Sequence, residues 1–213
     1  MPHDTTKKVL IINGSIRGKE GNSGKIVSQA LGYLNEQANM TAGVLTLTNN
    51  MPAIEDVCST LTQYHGFFIV TGNYWNSFGS PLQRFVEVMT AYEHTPSFFG
   101  KPLACAVSMD SVGGMEVASR VHSVFSGLGC WSPPCATIVL SRVASEAIAA
   151  SKGKDNDPND DVWSMADLKI VLQNLVATTQ VKVDWQSWPH VKLKSEGPWP
   201  HSGILDMDSP KFL

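Results

Sequence analysis

Five short apolar runs, each followed by a polar loop and most by an amphipathic stripe, limit this chain more than any other feature does. Val9–Ile12 is four consecutive apolar residues, and Phe67–Val70 and Leu103–Val107 are likewise unbroken. Ala42–Leu47 alternates towards a further strand, and Cys135–Leu140 completes the set. Runs this short and this β-branched or aromatic predict buried strands, not helices. Between them apolar residues recur at helical spacing: Val27, Ala30, Leu31, Leu34 and Ala38; Ile54, Val57, Leu61 and Tyr64; Leu82, Phe85, Val86 and Met89; Ala118, Val121, Phe125 and Leu128. A weak helix over Arg142–Ala150 follows the fifth run, and a last helix carries Met165, Leu168, Leu172, Leu175 and Val176 behind Asp160 or Asp161 as cap. Strands that are apolar throughout belong to a parallel sheet covered on both faces. The expectation is a three-layer, doubly wound α/β domain with a five-stranded parallel sheet in the order 2-1-3-4-5.

Three polar, glycine-bearing loops lie at the carboxyl ends of strands one, three and four: Asn13–Gly24, Thr71–Ser80 and Ser108–Gly114. In the expected order these strands are neighbours, and ligands of such sheets sit beyond the carboxyl ends at the switch in strand order. The first loop opens a helix, whose unpartnered N–H groups and dipole favour an anion. Asn22 and Ser23 stand where its N-cap is expected. The loop is not a Walker loop, which would need Gly at 19 and Ser or Thr at 26 where the chain has Lys19 and Ile26. Nor does it contain G-x-G-x-x-G. Ser15, Asn22, Ser23 and Arg17 supply donors to a terminal phosphate without a metal.

Ser80-Pro81 reads as the N-cap and N1 of the third helix, and Gly127 and Gly129 close the fourth. Asn49-Asn50-Met51-Pro52 marks a turn, and the polar segment GKDNDPNDD is expected to be mobile. A net charge of −3 over 213 residues gives no basic field for nucleic acid. No apolar leader or membrane-length run is present, and Cys58, Cys105, Cys130 and Cys135 form no CxxC pair. The chain therefore reads as soluble and cytoplasmic, without metal or disulfide framework and without a membrane partner. Residues 184–213 differ: Trp185, Trp188 and Trp199 lie among four prolines with His190 and His201 between them. The reading is a domain over 1–183 and a Trp/Pro-rich C-terminal extension over 184–213 that buries its rings on its own domain or on a neighbouring subunit.

At its loops the sequence resembles the NAD(P)H-dependent FMN reductase and NAD(P)H:quinone oxidoreductase families of flavodoxin-like fold. The motifs are NGSIRGKEGNSGK, TGNYWNSFGSPLQRFVE and GKPLACAVSMDSVGG followed by a helix ending in LGC, and the likeness runs from about Lys7 to Val143. The resemblance implies FMN as cofactor, with Ser15, Arg17, Asn22, Ser23 and Gly24 on its phosphate. It places Asn73, Tyr74, Trp75, Asn76 and Ser77 beside the isoalloxazine ring, and Ser108, Met109, Asp110, Ser111 and Gly113 on the other side. It implies hydride transfer from NAD(P)H and reduction of a small-molecule acceptor, whether flavin, quinone, azo or nitro compound, or metal ion. No side-chain acid or base is nominated as catalytic, because the cofactor carries the chemistry. A homodimer or homotetramer is implied as well. The alternatives are an electron-carrier flavodoxin, or a non-enzymatic protein binding another ligand in the same crevice.

Three departures from the family pattern stand out. Gly72 replaces a stiffening proline, which predicts a looser second loop. Gln83 replaces a lysine often found there. Asp110 places a carboxylate near the ring, where it disfavours the reduced flavin if it points inwards.

Overall fold

The computed structural model describes residues 6–48, 50, 52–150 and 163–188. The polar segment 153–161, the proposed caps Asp160 and Asp161, and the tail's His190, Trp199 and His201 lie outside them, as do Asn49 and Met51 of the expected turn. Strands β1 (Lys7–Asn13), β2 (Met40–Thr46), β3 (Gly66–Gly72), β4 (Leu103–Met109) and β5 (Thr137–Ser141) form one sheet. All neighbouring pairs are parallel, and the order is β2-β1-β3-β4-β5, as expected.

The continuous apolar runs have a simple cause: alternate side chains of each strand enter two separate cores. Leu10, Ile12, Phe67, Ile69, Leu103, Cys105 and Val107 face one side. There they meet α2 (Ile54–Thr62), α3 (Ser80–Met89) and α4 (Gly114–Leu128). Val9, Ile11, Phe68, Val70, Ala104, Ala106 and Ile138 face the other. That side is covered by α1 (Gly21–Asn35) and α6 (Leu168–Thr178), while α5 (Arg142–Ala150) follows β5.

Several boundaries shift in ways that matter for the crevice. Helix α1 begins at Gly21 with Glu20 at the N-cap, so Asn22 and Ser23 stand inside the first turn instead of capping it. Likewise α3 has Gly79 at its N-cap, which moves Ser80 and Pro81 to its first two helical positions. Gly129 closes α4 in the left-handed region at φ 111°, whereas Gly127 lies within the helix. Helix α6 starts at Leu168 behind Asp167, whose Oδ2 accepts the Ser164 N–H at 2.7 Å. Ser108 and Met109 are the last rungs of β4, paired with Leu140 and Ser141, and not loop residues. Gly72 is the last rung of β3, paired with Ser108, so its glycine character does not loosen a free loop. A Cβ there would lie 3.0–3.1 Å from the Tyr74 ring.

Trp185 and Ser187 pack at the amino-terminal end of the sheet. The Trp185 ring lies 6.0 Å from that of Trp131, whose Nε1 donates to the Gly100 carbonyl, and Ser187 Oγ lies 3.2 Å from His94 Nδ1.

Two histidines have their pKa pushed below the ordinary value, chiefly by burial. His122 Nδ1 sits 2.6 Å from Ser132 Oγ and its Nε2 2.6 Å from Thr137 Oγ1, and burial lowers its pKa below 6.5. His65 accepts the Lys8 N–H at Nδ1, and burial, then Lys7, Lys101 and Lys8, lower its pKa too. Unfolding releases both to ordinary values, so the unfolded chain binds more protons below about pH 6.5. Stability is therefore full above that pH and falls as pH drops through the folded-state pKa values. Urea midpoints taken at successive pH values should fall below pH 6.5, and His122→Gln should reduce the slope. A flat profile between pH 6.5 and about 5.5 would contradict this.

Candidate functional site

A crevice of about 340 Å³ opens at the carboxyl ends of the strands. Its walls come from the ends of β1, β3, β4 and β5 and from the start of α1. That volume is within the small-ligand range.

The first wall is built on Asn13, a fully buried polar residue ending β1. Its Nδ2 donates to the Gly18 carbonyl at 2.7 Å, and its Oδ1 accepts from the Ser15 N–H at 3.2 Å and hydroxyl at 2.9 Å. The loop thus closes on itself, with Gly18 at φ 57° and Gly21 at φ 78°. Ser15 lines the crevice, but its donors serve this frame. The Glu20 side chain makes no capping bond, which leaves the N–H groups at the start of α1 without a side-chain partner from the cap. Asn22 and Ser23 line the crevice there, beside the exposed Arg17, which makes no ion pair with a described residue. Free helix N–H groups plus an unpaired guanidinium suit a phosphate. Ser23 Oγ lies 2.9 Å from Ser108 Oγ and so joins this wall to the end of β4.

The second wall follows β3. Tyr74 and Ser77 exchange backbone bonds of 2.8 and 3.1 Å around Trp75 (φ 51°) and Asn76 (φ 57°), as in a type I′ turn. Holding a tryptophan there costs roughly 1–2 kcal/mol. Asn73 secures the turn: its Oδ1 accepts the Asn76 N–H, its Nδ2 donates to the Val112 carbonyl, and its N–H donates to Ser108. The Tyr74 ring rests against Gly72 and Gly79, with its hydroxyl 3.4 Å from the Ile16 N–H.

The third wall carries Ser108, Met109 and Asp110. Asp110 is held by Arg142, the first residue of α5, at 2.5 Å, and that hydrogen bond holds its carboxyl below the usual range. Arg142 also bonds Glu146 at 2.7 Å.

Of the residues expected from sequence, Ser15, Arg17, Asn22, Ser23, Asn73, Tyr74, Ser108, Met109 and Asp110 line one crevice. Gly24, Trp75, Asn76, Ser77, Ser111 and Gly113 are not on its lining. Gly24 lies under the loop, where a Cβ would meet the Lys19 carbonyl. Trp75 is fully exposed at the turn's tip, Ser77 faces Arg120 at 3.5 Å, and Ser111 is exposed. Gly113 at φ 85° gives room to Asn73 and Asn76. The lining also includes Glu20, Gly21, Gly72 and Arg142, none of which the sequence nominated as a site residue. Arg142 had a legible signal: it follows the strand next to β4 and so falls under the same carboxyl-end rule.

The fold and crevice define a flavodoxin-like protein. Solved structures of similar fold include RosB with a bound 8-demethyl-8-formylriboflavin-5'-phosphate intermediate, 14% identical over 81% of this chain and 79% of that one, TM-score 0.62. The apo form of EMOB, an NADH:FMN oxidoreductase, is 13% identical over 81% and 90%, TM-score 0.62. A flavodoxin, WrbA-like protein from Agrobacterium tumefaciens is 11% identical over 83% and 99%, TM-score 0.56. No curated protein matches the chain by sequence. The chain belongs to the NADPH-dependent FMN reductase family, whose model matches residues 7–145. It is accordingly an FMN-dependent NAD(P)H oxidoreductase, with FMN as cofactor and NAD(P)H as co-substrate.

Proposed function

We propose that FMN lies in this crevice with its phosphate at the start of α1 and its ring between the ends of β3 and β4, and that the electrons pass to a planar small-molecule acceptor such as a flavin or quinone. The observation that carries the reading is the convergence of the three loops with free N–H groups and Arg17 at one end. Bound there, FMN would supply the redox chemistry, with NAD(P)H as hydride donor. The chain's residues bind and orient. Arg17, Asn22 and Ser23 hold the phosphate, while Tyr74 offers a flat face at low entropic cost. Exposed Ile16, Trp75, Val112 and Met115 come from the three loops and the start of α4, and their apolar surface favours a planar acceptor over a metal ion. The domain division at 183/184 and a dimeric or tetrameric assembly belong to the same proposal.

The test is a visible spectrum of the purified protein before and after FMN, then NADPH, then a quinone. Flavin bands that shift on binding, bleach with NADPH and return with the quinone are the expected result. Photoreduction without NADPH turnover would favour an electron carrier, and an unchanged FMN spectrum would favour a different ligand.

A further inference from the structure

Asp110 brings a carboxylate to the crevice lining, on the wall assigned to the ring. A bare negative charge there opposes reduction, since the flavin ring gains negative charge when reduced. The structure does not leave the carboxylate bare. Arg142 enters from the next strand end, lines the same crevice, and places its Nε 2.5 Å from Asp110 Oδ1. Its Nη1 lies 2.7 Å from Glu146 Oε1, one turn along α5. Both side chains are half exposed or more, so an ion pair there contributes little to folding. Nor does the loop depend on it. The Asp110 carbonyl accepts the Val143 N–H at 3.0 Å and the Ser141 hydroxyl at 3.1 Å, contacts that survive a change of side chain. An ion pair with little structural work, on the wall of a redox crevice, has its main effect on the charge that a ligand meets.

We infer that Asp110 and Arg142 are a compensated charge pair that sets how strongly the crevice prefers reduced over oxidised FMN. Arg142 is a positioning residue in this role: it restrains Asp110 and neutralises the carboxylate, with Glu146 fixing the guanidinium from behind. The inference rests on the placement of FMN proposed above.

The effect appears as a ratio of affinities. By linkage, any change in the preference for the reduced form shifts the midpoint potential of the bound cofactor equally. Arg142→Gln leaves Asp110 uncompensated, and affinity for reduced FMN should fall about tenfold relative to oxidised, the scale of one screened unit charge nearby. For a two-electron couple that lowers the potential by about 30 mV. Asp110→Asn leaves Arg142 positive and should raise the potential by a similar amount. The double variant removes both charges and should return close to the parent, so the single effects cancel. Arg142→Lys keeps the charge and should stay near the parent.

The experiment is a dye-equilibrated reductive titration of the FMN-loaded parent and the four variants, with far-UV circular dichroism to confirm the fold. Opposite shifts in the two single variants and recovery in the double variant are the expected pattern. Equal potentials in all five proteins overturn the inference while leaving the FMN site standing. A raised KM for NADPH in Arg142→Gln with an unchanged potential overturns it too, assigning the guanidinium to the co-substrate. A parent that binds no FMN removes the underlying site proposal, which makes the two failures distinct.

Discussion

Gly24→Ala is expected to lower FMN affinity about 100-fold, or about 2.7 kcal/mol, while the sheet stays folded. Gly24 sits in the first turn of α1, and a methyl group there would collide with the carbonyl of Lys19, a backbone atom that cannot rotate away. The loop must move, and Arg17 and the free N–H groups move with it. Hydrogen bonds to charged groups are worth about 1.5–3 kcal/mol each, so the displacement of one or two accounts for the loss. Neither core includes the loop, and melting should change by only a few degrees. Fluorescence titration of apoprotein with FMN measures the first effect and circular dichroism the second. Unchanged affinity would place the phosphate elsewhere.

The second large effect concerns the frame beneath the crevice. Phe98 is fully buried, and its ring meets those of Phe67 at 6.0 Å, Phe85 at 6.3 Å and Phe125 at 6.3 Å. It thereby joins β3, α3 and α4, although it lies in the irregular stretch before β4. Phe98→Ala should cost about 3–5 kcal/mol, because the burial of its ring is lost and a cavity is left among three rings. For a domain of this size that is a fall of about 10 °C in Tm. A loss below 1 kcal/mol in chemical denaturation would show that the rings close over the gap.

Phe98 also marks where sequence reading stops. The strands were legible because four or five apolar residues in succession leave few other folds, and Val9–Ile12 and Phe67–Val70 fall inside β1 and β3. The periodic stripes were legible for the same reason. Phe98 belongs to no period, so its burial depends wholly on tertiary contacts. The convergence of three loops followed from strand order, and the family resemblance agreed with it. The details inside the loops did not follow. Nothing in Tyr74-Trp75-Asn76-Ser77 signals two positive φ angles, since the usual Asn-Gly or Asp-Gly pair is missing. Trp75 was accordingly expected beside the ring, and the turn holds it outwards instead. Asn13 was passed over because its role is to organise the loop from below, and such a role is visible only in the bonds it makes.

The contact of Trp185 with Trp131 and Gly100 has a geometric consequence. Gly100 leads into the amino end of β4, whereas Ser108 and Asp110 mark its carboxyl end. The seven-residue strand β4 spans about 20 Å between these ends at the usual rise. Trp188, largely exposed, stands just beyond this anchored stretch, at the far end of the sheet from the crevice. A small molecule entering between the loops would approach the domain from the opposite pole, so the contact of Trp185 with Trp131 does not stand in its path.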